Sequence, residues 1–126
     1  MDDTSVNGID LKALYLILRG VARKKAPITY GALSTAYQEK TGEWREAHGT
    51  WDEPLGVLNN LLAGAGLPAL TVLVVRAQTM EPGNGFWGSC PLVPIRPSND
   101  EKRFAECLRI QKEVYAARWP YTLPGG

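Results

Sequence analysis

Cysteine and histidine are scarce: two of the first and one of the second in 126 residues. His48 stands alone in a polar, glycine-bounded stretch. Cys90 and Cys107 lie in different kinds of segment, so no zinc or iron ligand spacing is present and no metal is expected. Two thiols without a framework fit a reducing compartment better than a disulfide scaffold. Long apolar runs are also missing. The most apolar stretches, Leu11–Leu18 and Leu67–Val75, fall far short of the ~20 residues a membrane span requires. The first ten residues hold three Asp and no cation, unlike the basic start of a secretory signal. A cytoplasmic protein without membrane contact is the expectation.

An excess of charge of one sign is lacking as well. Fourteen Lys+Arg against thirteen Asp+Glu leave a net charge of +1, so a nucleic-acid role must rest on local placement of charge. The length suits one domain, able to bury roughly two-thirds of its unfolded surface without covalent staples.

What is present is a succession of helix signals around one β-rich run. Residues 1–9 read as a disordered lead. Asp10 is placed to cap a helix whose apolar set Leu11, Leu14, Tyr15, Leu18, Val21 and Ala22 recurs at three- and four-residue steps. Pro27 stops it after Arg23, Lys24 and Lys25. Ile28–Tyr30 is a short β-prone run, and Ala32–Lys40 is a second helix. Thr50 and Glu53 form a capping box before a third, with Trp51, Leu55, Leu58, Leu61 and Leu62 on its apolar face.

Leu70–Arg76 is the strongest strand signal. The Pro-Gly and Asn-Gly turns at 82–85 then predict a return strand at Phe86–Trp87. Residues 89–97, rich in proline, read as a linker. Ser98 and Glu101 form a second capping box for a helix over 98–119 that packs on the core, followed by a tail over 120–126. The expected fold is therefore mainly α with a small antiparallel hairpin: a winged helix-turn-helix-like core over 10–88 plus a C-terminal helix.

The run Ile28-Thr29-Tyr30-Gly31-Ala32-Leu33, then Leu55-Gly56, a proline-led strand ending Val74-Val75, and Gly85-Phe86 resembles the C-terminal domain of the O6-alkylguanine-DNA alkyltransferases and alkyltransferase-like proteins. The likeness covers about sixty residues with loose spacing. It implies a winged helix that binds DNA through its helix-turn-helix. The Pro-Cys-His-Arg that carries the alkyl-accepting thiolate in that family has no counterpart, because the equivalent stretch reads Thr71-Val72-Leu73-Val74-Val75-Arg76. The resemblance thus implies architecture without acceptor chemistry. Gly66–Phe86 also resembles the core of small bacterial and prophage proteins to which no activity is attached.

No catalytic constellation emerges. Cys90 precedes a proline in the linker, with no nearby cation to stabilise a thiolate. Gly83 and Gly85 belong to a turn, not to a strand–helix phosphate loop. Asp52 and Glu53 suit the first turn of a helix through its dipole. No cofactor is expected.

Two functional readings of different class follow. The first is a non-catalytic nucleic-acid-binding protein, on duplex or single-stranded DNA. Arg23, Lys24, Lys25 and Arg76 would contact phosphate, Asn59 and Asn60 base edges, and Asn84 would act from the wing tip. The third helix argues against conventional groove insertion, since it carries Asp52 and Glu53 and no cation. The second is a protein-interaction module, of the kind phage and mobile-element regulators use, engaging a larger partner through Trp44, Phe86 and Trp87. The sequence leaves the oligomeric state open.

Overall fold

A computed structural model describes residues 5–124. The chain is mainly helical. Four α-helices, α1 (Leu11–Lys24), α2 (Tyr30–Thr41), α3 (Asp52–Gly64) and α4 (Asp100–Ala116), surround two minimal sheets. Strands β1 (Ser5–Val6) and β2 (Ile9–Asp10) pair antiparallel; β3 (Ile28–Thr29) and β4 (Val74–Val75) pair parallel, Ile28 opposite Val74 and Thr29 opposite Val75. No helix among the described residues is long and apolar enough to cross a membrane.

The N-terminal hairpin lies where a disordered lead was expected. Residues 1–4 fall outside the described residues. From Ser5 the chain is ordered by a two-residue turn, Asn7 and Gly8, both at positive φ (52° and 78°). That is the type I′ geometry Asn-Gly favours, and its twist matches a β-hairpin. Ile9 is wholly buried, and Asn7 Nδ2 donates to Glu53 at the start of α3 at 2.7 Å.

Helix α1 begins as its sequence requires. The Asp10 carboxylate accepts from the backbone N–H groups of Lys12 and Ala13, and Leu11, Leu14, Tyr15, Leu18 and Ala22 turn inward. Lys25, in the left-handed region at φ 55°, ends it. Thr29 caps α2 by accepting from Ala32 N–H. The Thr50 capping box does not form. Trp51 precedes α3 without a side-chain cap, because its indole is drawn wholly into the core, donating to Ser34 Oγ at 3.0 Å and meeting Tyr37 edge-on. At α4 the cap is Asn99, which accepts from Lys102 N–H, one residue after the expected Ser98.

The segment expected to form the wing differs most. Leu70–Leu73 is a 3-10 turn, only Val74–Val75 is extended, and the partner of that strand is β3, in parallel. Leu70–Val75 is buried throughout, packed among α1, α3 and α4. A run buried on every side carries no alternation to say which strand, if any, it will join. Asn84–Phe86 is a second 3-10 turn. An isolated bridge between Val75 and Pro82 and a bond from Arg76 N–H to Glu81 O are the antiparallel contacts of this region.

Helix α4 packs on the core through Cys107, Ile110 and Val114. The chain after it folds back on α1. Tyr15 Oη donates to Pro120 O at 2.7 Å, Arg19 Nε to Trp119 O at 3.2 Å, and the Trp119 indole donates to Val114 O.

Candidate functional site

The N-termini of α2 and α3 converge with the 82–90 segment around Tyr30. The Tyr30 hydroxyl accepts the Gly83 N–H at 3.1 Å. A Cβ on residue 83 would lie 2.5 Å from that hydroxyl, so any side chain there would force the phenol to move. Burial holds the Tyr30 pKa above the usual tyrosine value; the Gly83 N–H pulls it down, Asp52 pushes it up and Arg76 lowers it. Asp52 and Arg76 therefore both sit within electrostatic reach of one phenol.

Beside Tyr30 lies a small depression, with room for little more than a water molecule, walled by Tyr30, Asp52, Leu55, Asn59, Thr71 and Ser89. Asn59 is wholly buried: its amide donates to Ser89 Oγ at 3.0 Å and its oxygen accepts from Thr71 N–H at 3.4 Å. Asn60 donates to Ser89 O and Gly56 O. The two asparagines expected to read base edges instead bind the 87–90 loop to α3. Thr71 Oγ1 is, among the described residues, the one buried side-chain polar atom without a hydrogen-bond partner.

Thr71 opens the stretch that stands where the alkyltransferase resemblance places its acceptor motif. No histidine, cysteine or lysine lines the depression with it, and Asp52 is the one carboxylate there. The polar threonine in an apolar run and the Asn59-Asn60 pair were the sequence signals for this place; neither says that they meet.

Some of the cations are paired inside the fold, while Lys40, Arg96, Lys102, Lys112 and Arg118 are exposed without an ion pair among the described residues. Arg45 pairs with Glu43, Arg109 with Glu106 and Glu113, and Arg103 with Glu81 and Asp100. Arg103 is buried and also donates to the carbonyls of Pro97 and Ser98, so it is a structural tie between α4 and the 76–81 loop. Arg23, Lys24, Lys25 and Arg76 are exposed and make no ion pair among the described residues.

Lys25 leads into β3 and Arg76 leaves β4. Because those strands are parallel, Lys25 and Arg76 lie toward opposite ends of one two-residue ladder, with Arg23 and Lys24 in the last turn of α1. Asp52 and Glu53, at the start of α3, are both exposed.

The aromatic residues expected at a partner surface are separated. Trp44 is 47% exposed, its indole donating to Glu46, on a loop tied to the N-terminal hairpin by Arg45 Nη2 donating to Gly8 O. Phe86 is buried, not exposed, because it fills the base of the 3-10 turn against α3. Trp87 is half-buried against it, ring centroids 5.3 Å apart. Asn84 is exposed at the start of that turn.

Both thiols are free and buried. Burial, with Glu81 adding to it, pushes the Cys107 thiol up to about 11, which keeps it protonated at neutral pH. Among the described residues no group of three or more His, Cys, Asp or Glu side chains is placed to hold a metal ion. Comparisons with known protein families, curated proteins and solved structures find no match to this chain.

Proposed function

We propose that this chain is a non-catalytic nucleic-acid-binding protein that grips the phosphate backbone with Arg23, Lys24, Lys25 and Arg76. The observation carrying the reading is the placement of four exposed cations directly before β3 and after β4. Arg45, Arg103 and Arg109 are neutralised by carboxylates, whereas these four make no ion pair among the described residues and flank the β3–β4 ladder. Unpaired cations lose no partner when they meet phosphate, and each releases a condensed counterion from the nucleic acid.

The contact differs from groove insertion by a recognition helix. Asp52 and Glu53 at the start of α3 repel phosphate, and Asn59 is buried, so the grip is sequence-independent. In this reading α1, α2 and α3 form a helix-turn-helix-like core without a paired wing, and the resemblance over 28–33 and 55–56 to the alkyltransferase DNA-binding domain supports it. The test is fluorescence anisotropy with labelled duplex and single-stranded DNA at low and physiological salt, on the wild type and on R23A/K24A/K25A.

A protein-interaction module is the second reading, and Trp44 is what favours it. Trp44 is 47% exposed, and tryptophan is among the residues that most often anchor a protein interface. Trp44→Ala should abolish partner capture and leave DNA affinity unchanged if that reading holds.

A further inference from the structure

Helix α4 buries one stripe and leaves another bare. Arg103, Cys107, Ile110 and Val114 turn into the core. Glu101, Phe104, Leu108 and Lys112 follow at three- and four-residue steps along a neighbouring stripe. Phe104 is 65% exposed and Leu108 39%, and upstream Ile95 is 85% exposed. The charges on this stripe are ordered, Glu101 in the first turn and Lys112 near the end. Neither makes an ion pair among the described residues, while the neighbouring Arg109 is held by Glu106 and Glu113 on its own helix.

We infer that this stripe is the contact between two copies of the chain, paired through antiparallel α4 helices. A two-fold axis at the level of Glu106 sets Phe104 opposite the partner's Leu108 and, to within one residue, Glu101 opposite the partner's Lys112. Each contact occurs twice, as a two-fold interface requires. The stripe is self-complementary only in this orientation, because a parallel pairing would set Glu101 against Glu101 and Lys112 against Lys112. Apolar side chains lie at the centre and opposite charges at both ends. A helix of 17 residues is about 25 Å long, so the two apolar pairs lie at its middle and the two charge pairs toward its ends. This inference is independent of the nucleic-acid reading.

Sedimentation velocity of the full chain over a micromolar concentration series at low salt tests it, with helical circular dichroism as the check that each variant is folded. The wild type is expected to dimerise. E101K and K112E should each weaken the dimer by about tenfold, since two symmetric pairs turn from attraction to repulsion. E101K/K112E should restore it. F104A should leave a folded monomer. A wild type that stays monomeric throughout overturns the proposal, and so does a dimer indifferent to both charge reversals or a double variant as weak as the singles.

Discussion

Tyr30 and Gly83, fifty-three residues apart in the chain, are locked together: the Tyr30 hydroxyl accepts the Gly83 N–H at 3.1 Å and occupies the space where any side chain on residue 83 would begin. The start of α2 is thereby fastened to the segment that carries Phe86 and Trp87. Gly83→Ala should destabilise the fold by about 1–3 kcal/mol through this clash. Tyr30→Phe should cost about 1–2 kcal/mol by leaving a buried N–H without its acceptor. Because the obstructing atom is the hydroxyl oxygen, Gly83→Ala should cost less in the Tyr30→Phe background. Urea denaturation of the four-member cycle measures that coupling, and strict additivity would contradict the contact.

Asn59 is a structural residue and not a reader of bases. Asn59→Ala removes the donor to Ser89 Oγ and the acceptor for Thr71 N–H, both in or near the core. A loss of about 2–3 kcal/mol in urea unfolding is expected, with DNA affinity of the folded fraction unchanged. A loss of affinity without a loss of stability would reverse the assignment.

Thr71 offers the opposite case. Its hydroxyl is buried without a partner, so Thr71→Val, which keeps the shape and removes the polar atom, should leave stability unchanged or raise it by up to about 1 kcal/mol. A clear destabilisation in thermal or urea unfolding would mean the hydroxyl is satisfied in solution.

Above neutral pH the thiol of Cys107 governs part of the stability. Its folded pKa of about 11 lies above the unfolded value near 9, so the folded state retains a proton that the unfolded state has lost. Stability should hold below pH 9 and fall as pH rises toward 11, by at most about 3 kcal/mol in total. Tyr15 and Tyr30, raised by burial, act in the same direction. Cys107→Ala should flatten that decline, measured by urea unfolding at pH 8 and 10.5.

Local causes were legible in the sequence, and long-range ones were not. Asp10 and Thr29 cap their helices because the groups they satisfy lie two and three residues away. The short β3 run showed itself, but its parallel partner did not, because Leu70–Val75 is buried on all sides and its apolar pattern fits a 3-10 turn as well as a strand. The β1–β2 hairpin was missed although Asn7-Gly8 is a strong turn signal, since two-residue strands have no periodicity to find.

At the candidate site the four exposed cations were readable one by one. That Arg103 would be consumed inside the fold, and that Asn59 and Asn60 would face the 87–90 loop, depends on contacts across twenty or more residues.

The central claim is that Arg23, Lys24, Lys25 and Arg76 bind phosphate, and its most direct test is the salt dependence of DNA affinity read by fluorescence anisotropy. Four phosphate contacts on duplex DNA predict a log–log slope of about −3.6, reduced to about −0.9 in R23A/K24A/K25A, with affinity lost evenly across sequences. Absence of binding at low salt, or binding that the triple substitution leaves unchanged, would contradict the account.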